Sequence, residues 1–149
     1  MAGWLSHALS WWKTFRSPDD VPAQDLEDRL IRLAPNMDEA CGGAILFDGR
    51  PEHFIVDESG DIGMIDVEEL RVGDPAMDIG VLATWIPGAI PAVLSGFVSG
   101  GGRVDAAFEK RVHFYTVLRM LAAAEWHREH LNDDRTAMDL LDRLDRSAV

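Results

Sequence analysis

Residues 48–78 read DGRPEHFIVDESGDIGMIDVEELRVGDPAMD. The apolar residues of this stretch come in two short runs, Phe54-Ile55-Val56 and Ile62-Gly63-Met64-Ile65, and the polar segment Glu58-Ser59-Gly60-Asp61 lies between them. Two short apolar runs joined by a turn that contains glycine predict a β-hairpin. Just before this stretch, Ala44-Ile45-Leu46-Phe47 is a third short apolar run. The centre of the chain is therefore predicted to form a small sheet.

On both sides of these strands, apolar residues recur every three or four positions, which is the period of an amphipathic helix. The predicted helices cover residues 4–15, 23–33, 77–85, 89–98, 104–130 and 135–146. In the second of them, the residues predicted to face inward are Leu26, Leu30, Ile31 and Leu33. The predicted fold class is α+β, a mostly helical lobe that carries a small β-hairpin sheet, in a single domain spanning residues 1–149.

Composition limits the partners that this chain can have. The 149 residues carry 26 Asp and Glu against 14 Lys and Arg, a net charge of −12. Such an excess of negative charge repels nucleic acid and anionic lipid, and it favours cationic small molecules or a basic protein surface. The single cysteine, Cys41, excludes an internal disulfide framework. No apolar run approaches the length of a membrane span, so the expected location is the cytoplasm, with no membrane and no nucleic acid as partner.

Five residues with carboxylate or imidazole side chains follow the predicted strands or begin the next helix. They are Asp48, His53, Asp66, Asp74 and Asp78. Each acid taken alone is typical of a turn or of a helix cap. Their common order and spacing carry more information than any one of them.

In that order and spacing, the chain resembles the carboxy-terminal lobe of the aminoglycoside phosphotransferase and choline kinase family, which has a protein-kinase-like fold. The family shows a loop Asp, an Asn or His five residues later, a hydrophobic hairpin, Ile-Asp, and then Gly-Asp-Pro-Ala-x-Asp. The matching positions here are Asp48, His53, Ile65-Asp66 and Gly73-Asp74-Pro75-Ala76-Met77-Asp78. The His and the Gly that precede the family's loop Asp are replaced by Leu46 and Phe47.

The resemblance implies a site for phosphoryl transfer, in which the protein mostly positions reactants and neutralises charge. Asp48 would accept or orient the proton of the substrate hydroxyl, and Asp66 would hold Mg²⁺ against the nucleotide phosphates. His53 would be a second metal ligand, and its imidazole favours Mn²⁺ over the harder Mg²⁺. Asp74 and Asp78 would brace the loop.

The nucleotide-clamping amino-terminal lobe of the family has no counterpart in the predicted elements. Lys13 and Lys110 are the two lysines, and neither falls in a predicted strand. The segment Ser99-Gly100-Gly101-Gly102 lies between helices and lacks the Gly-Lys-Ser/Thr of a phosphate-binding loop. We therefore expect ATP with Mg²⁺ or Mn²⁺ to bind only when a partner supplies the nucleotide lobe, and no cofactor otherwise.

Three functions stay open at this point. The chain can be the catalytic half of a split small-molecule phosphotransferase, or a catalytically silent kinase-like binding module. It can also be a repurposed enzyme that uses Asp48, His53 and Asp66 as acid and base groups on a small metabolite. In each case a small molecule, possibly cationic, is the expected ligand. Without an amino-terminal lobe, apolar surface near the strands and the first helix is left open, which predicts a homodimer or a partner lobe bound through that helix and Trp11.

Overall fold

The computed structural model describes Ser10, residues 23–33 and residues 42–146. Of the predicted first helix only Ser10 belongs to this set, so the interface predicted around Trp11 lies outside the described residues, as does Cys41. In chain order the elements are α1 (Ala23–Leu33), β1 (Gly43–Ile45), a 3₁₀ turn (Pro51–His53), β2 (Phe54–Val56), β3 (Ile62–Met64), β4 (Arg71–Gly73), α2 (Ala76–Trp85), a second 3₁₀ turn (Pro87–Ala89), α3 (Ile90–Ser99), α4 (Ala106–His130) and α5 (Asp134–Arg146).

A mostly helical chain with short antiparallel strands confirms the predicted α+β class. Each described helix begins and ends within two residues of its predicted bounds. None of the helices in the described ranges combines the length and apolar character that a membrane crossing requires.

The strands form two antiparallel pairs, β1 with β4 and β2 with β3. In the second pair Phe54 lies opposite Met64 and Val56 opposite Ile62, which is the predicted hairpin. Its turn is closed by Asp57, whose Oδ1 accepts hydrogen bonds from the amides of Ser59 and Asp61, both at 2.9 Å. The side chain of Asp57 thus replaces backbone partners in the turn, as short polar side chains commonly do.

Strand β4 was not predicted, because Arg71-Val72-Gly73 contains a single apolar residue. Val72 is 83% exposed, so burial does not explain the strand. Its register is set by pairing with β1, where Gly43 lies opposite Gly73 and Ile45 opposite Arg71. A strand held by backbone pairing rather than by an apolar face leaves little pattern in the sequence.

The chain divides into two compact units, and the division falls inside α4, between Thr116 and Val117. Among the described residues, the first unit contains α1, the end of α4 and α5. Its buried residues are Leu26, Leu30, Val117, Leu118, Met120, Leu121, Ala123, Ala124, Ala137, Leu140, Leu141 and Leu144. One prediction is corrected here: Ile31 is 57% exposed, because it lies about 100° around the helix from its neighbour Leu30, which faces the core.

The second unit contains the strands, α2, α3 and the beginning of α4. Its core is formed by Ala76 and Ile79 of α2 with Phe108 and Val112 of α4. The ring of Phe97 from α3 stacks on that of Phe108, with centroids 5.2 Å apart. This core fixes the start of α2, from which one of the predicted site residues projects.

Gly80 allows α2 and α4 to approach closely. A Cβ atom added at Gly80 would lie 2.7 Å from the Cβ of Tyr115 and 3.0 Å from the amide nitrogen of Thr116, so the two helices would have to move apart. We expect Gly80→Ala to lower the free energy of unfolding by about 1–3 kcal/mol, measured by urea denaturation. Gly96→Ala in α3 is the matched control, since a Cβ there meets no atom within 4 Å. That control should be neutral or stabilising by about 0.5–1 kcal/mol, and equal effects of the two changes would contradict the close approach.

Candidate functional site

The loop that follows β1 is tied to the first turn of α2 by Asp78. One carboxylate oxygen, Oδ2, accepts a hydrogen bond from the Leu46 amide at 2.7 Å, and the other, Oδ1, accepts one from the Phe47 amide at 3.0 Å. Burial raises the pKa of Asp78 above its usual value, and the two amide hydrogen bonds act in the opposite direction. A side chain in the Gly-Asp-Pro-Ala-x-Asp segment therefore positions the backbone just before Asp48.

Two residues, one in this loop and one after β3, adopt strained backbone conformations. Phe47 has φ 68° and Asp66 has φ 60°, the left-handed region that non-glycine residues seldom adopt. Phe47 stands where the family carries Gly, which adopts this conformation without strain. The guanidinium of Arg71 lies over the Phe47 ring, 4.0 Å from its centroid. Unusual backbone conformations of this kind concentrate at functional sites.

His53 contacts both Asp48, in the loop after β1, and Asp66, which follows β3. Its Nδ1 lies 2.8 Å from the backbone oxygen of Asp48, and its Nε2 lies 3.3 Å from Oδ2 of Asp66. A carbonyl oxygen only accepts hydrogen bonds, so Nδ1 carries a proton and donates it. The ring is buried, whereas about half of the Asp66 side chain is exposed (52%). The structure thus brings Asp48, His53 and Asp66 together, as the spacing predicts.

Arg50 is a member of this cluster that the sequence analysis did not single out. Its Nε donates to Oδ2 of Asp48 at 3.0 Å, and its Nη1 lies 3.1 Å from Oε1 of Glu52. Its Nη2 lies 3.3 Å from Nε2 of His53. The sequence does contain a signal for this role, because Arg50 is the single cation in an acidic loop and stands two residues after Asp48.

Asp74 contacts α4 and the start of α2, whereas Asp78 contacts the loop after β1. Its Oδ2 accepts a hydrogen bond from Nε of Arg111 at 2.9 Å, and both side chains are buried. Its Oδ1 lies 3.2 Å from the Ala76 amide at the start of α2. Burial raises the pKa of Tyr115 to about 12, and the hydrogen bond to the nearby Asp74 carboxylate adds to the shift. Asp74 therefore joins α2 to α4, and the contacts to the loop come from Asp78.

A metal ion on this site would need ligands from outside the chain as well. Within residues 23–33 and 42–146, no group of three or more His, Cys, Asp and Glu side chains is placed to hold a metal. Nε2 of His53 and Oδ2 of Asp66 form a pair of potential donors. Mg²⁺ on nucleotides commonly takes one or two protein carboxylates and completes its shell with phosphate and water oxygens. The pair fits an ion shared with a bound phosphate.

An apolar surface lies on the strands and on the segment between β3 and β4. We call it the open apolar face, and its members, all exposed, are Ile55, Val56, Ile62, Met64, Ile65, Val67, Leu70 and Val72. Part of this face borders a shallow groove of about 410 Å³ whose lining also includes Asp57 and Asp61. Apolar surface near the strands was predicted to be left open, and this part of the prediction is confirmed.

Asp66→Asn should change the stability of the metal-free protein very little. Asp66 is half-exposed, Asn tolerates a positive φ at least as well as Asp, and the substitution removes one charge from an acidic cluster. We expect the free energy of unfolding to change by no more than about 0.5 kcal/mol, measured by urea denaturation. Asp78→Asn, which replaces a buried carboxylate oxygen by an amide NH₂ group facing a backbone donor, should be clearly destabilising in the same assay. A loss of several kcal/mol for Asp66→Asn would instead indicate a structural role.

Comparison with known proteins identifies the family of the chain. The sequence matches the profile of the phosphotransferase enzyme family over residues 3–111, whereas no curated protein matches it. Among solved structures, a choline/ethanolamine kinase family protein from Mesorhizobium loti superposes with a TM-score of 0.56 at 18% sequence identity. The superposition covers 97% of this chain and 51% of the other, so the chain spans about half the length of that protein. At this identity the likeness is one of fold, and the family match extends over most of the chain. The chain belongs to the phosphotransferase enzyme family.

Proposed function

We propose that this chain is the catalytic half of a small-molecule phosphotransferase and that it acts together with a nucleotide-binding lobe supplied by a partner. The observation that carries the proposal is the bridging position of His53, which contacts Asp48 through Nδ1 and Asp66 through Nε2. One imidazole thus links the backbone of Asp48, to which the resemblance assigns proton acceptance, with the carboxylate of Asp66, to which it assigns metal binding.

The reaction transfers the γ-phosphoryl group of ATP to a substrate hydroxyl, which forms the phosphoester and releases ADP. Asp48 lies at the loop held by Asp78, and its carboxylate would orient the hydroxyl and receive its proton as the new P–O bond forms. A bound Mg²⁺ or Mn²⁺ would neutralise charge on the phosphates. Asp66 and His53 are the residues that would hold it, and the nitrogen ligand favours Mn²⁺.

A second lobe would cover the open apolar face. Eight exposed aliphatic side chains within one short stretch of strands are unusual on a free surface, because exposed apolar groups of this number commonly mark interfaces. The strands that carry it also carry the site, since His53 precedes Phe54 of β2 directly and Asp66 follows β3. A partner lobe seated there would exclude water from the site. A second copy of this chain is the alternative occupant. Binding of a nucleotide lobe would give ATP turnover, whereas binding of a second copy would not.

The substrate is expected to be a small molecule, and a cationic one suits the site. Asp48 and Glu52 pair with the guanidinium of Arg50, and the carboxylate of Asp66 lies against His53. The whole chain carries a net charge of −12. An amine or guanidine group on the substrate would therefore be attracted to the site from solution.

The proposal is tested on the chain purified from its own host together with whatever is bound to it. We expect label from γ-labelled ATP to appear on a small hydroxyl compound, to require Mg²⁺ or Mn²⁺, and to be lost in Asp66→Asn. The chain produced alone should bind ATP·Mg²⁺ weakly or not at all in a calorimetric titration. Micromolar affinity of the isolated chain would contradict the need for a partner lobe, and undiminished transfer by Asp66→Asn would contradict the site.

A further inference from the structure

We propose that Arg50 is an internal cation that competes with a divalent metal ion for the acidic site. This inference rests on the proposed function, because it concerns the same pair of donors, His53 and Asp66. It adds a residue to which the resemblance assigns no role, and it predicts that the free chain limits its own metal affinity.

The contacts of Arg50 place its positive charge within the cluster. Each of its three nitrogens faces a different residue: Nε faces Asp48, Nη1 faces Glu52 and Nη2 faces His53. Only about a third of the side chain is exposed (35%), so the guanidinium is held within the loop rather than extended into solvent. A planar group with a fixed fork of donors suits such a set of acceptors, and a lysine ammonium does not.

The contact with His53 is the one that conflicts with a metal. Nε2 lies 3.3 Å from Nη2 of Arg50 and equally 3.3 Å from Oδ2 of Asp66. A guanidinium can only donate and a carboxylate can only accept, so with the proton on Nδ1 the hydrogen bond of Nε2 is the one from Arg50, and it uses the lone pair of Nε2. With the proton on Nδ1 held by the Asp48 carbonyl, that lone pair is also the one that would bind a metal. Nε2 cannot serve Arg50 and a metal ion together. Metal entry therefore requires the Nη2 contact to break.

Charge adds to this steric competition. Asp48, Glu52 and Asp66 are three acidic side chains, and Arg50 is a cation paired with two of them. Removing the guanidinium takes a cation away from the Asp48 and Glu52 carboxylates and abolishes the repulsion between a single and a double positive charge only a few ångströms apart. Because all these groups are partly exposed, solvent weakens the effect. We expect about a tenfold gain in metal affinity, which corresponds to about 1.4 kcal/mol.

The test measures binding of Mn²⁺ alone, through the loss of the free-ion signal in electron paramagnetic resonance at fixed pH and low salt. Arg50→Gln should bind Mn²⁺ about tenfold more tightly than the unmodified chain. Arg50→Lys, which keeps the charge but cannot face three groups together, should lie between them. Arg103→Gln is the matched control, because it removes one positive charge from an exposed side chain that pairs with Asp105, outside the cluster. Asp66→Asn should remove the added binding from the Arg50→Gln protein.

Each outcome decides the inference. Tighter binding by Arg50→Gln that depends on Asp66 supports it, provided that Arg103→Gln binds as the unmodified chain does. Equal or weaker binding by Arg50→Gln overturns the competition and leaves the metal site of the proposed function standing. If neither protein binds Mn²⁺ at millimolar concentration, the competition is overturned together with the metal site formed by His53 and Asp66. If Arg50→Gln does not fold, the same comparison is made with Arg50→Lys, and binding no tighter than that of the unmodified chain overturns the competition.

Discussion

Asp48→Asn is expected to slow phosphoryl transfer by the assembled enzyme by about 10²–10⁴-fold, the usual contribution of a positioned general base. The asparagine is close to isosteric with aspartate, so the loop held by Asp78 should keep its shape. An amide cannot take up the proton of the substrate hydroxyl, and it also weakens the ion pair with Arg50. The loss should fall on kcat, with the KM for ATP little changed, because Asp48 acts on the acceptor rather than on the nucleotide.

Steady-state kinetics on the purified complex checks this expectation. The matched control is Asp61→Asn, which makes the same chemical change in the exposed hairpin turn, where Asp61 accepts a hydrogen bond from Ser59. That variant should keep the activity of the unmodified protein. A fall of less than about tenfold for Asp48→Asn would remove Asp48 from the role of base and leave positioning as the source of the rate.

Arg111→Met should lower the free energy of unfolding by about 3–5 kcal/mol, the largest stability effect expected of any single change considered. Arg111 and Asp74 are among the few buried charged residues in the described part of the chain, and their side chains are only 6% and 5% exposed. Methionine would fill much of the volume of arginine but would leave the Asp74 carboxylate buried without its cation. The hydrogen bonds from Tyr115 and from the Ala76 amide would not compensate for that charge.

Urea denaturation of Arg111→Met, with the slope of the transition compared between variants, measures this effect. The double change Asp74→Leu with Arg111→Met is the informative control, since replacing both members of a buried ion pair by apolar residues is often close to neutral. Recovery of most of the lost stability in the double variant would show that the uncompensated charge is the cause. A loss below about 1 kcal/mol for Arg111→Met alone would mean that water reaches the pair.

Local patterns in the sequence predicted much of this structure. The hairpin follows from two apolar runs and a turn whose own side chains close it, as the Asp57 contacts show. The convergence of Asp48 and His53 is equally local, because a 3₁₀ turn from Pro51 to His53 returns the imidazole to the Asp48 carbonyl. Such contacts involve residues close in sequence, and their spacing carries the information.

Two features that the sequence did not reveal depend on partners far along the chain. Arg111 lies 37 residues from Asp74, and no pattern in the sequence indicates that the two side chains pair. Strand β4 exists through its backbone pairing with β1, and its apolar residue is exposed. Arg50 was overlooked although it lies inside the motif, because the resemblance assigns roles only to the acids and to His53. Tertiary packing and charge compensation decide each of these cases.

We propose that Asp48, His53 and Asp66 form one metal-dependent site. The most direct test of this claim is the nuclear magnetic resonance spectrum of the histidine rings during addition of Mn²⁺, since a paramagnetic ion broadens nearby signals even at low occupancy. The His53 signals are assigned by their absence in His53→Gln. We predict that they broaden at low Mn²⁺ concentration and that Asp66→Asn abolishes the broadening. His53 signals that stay sharp throughout the titration, or that broaden equally in Asp66→Asn, would contradict the claim.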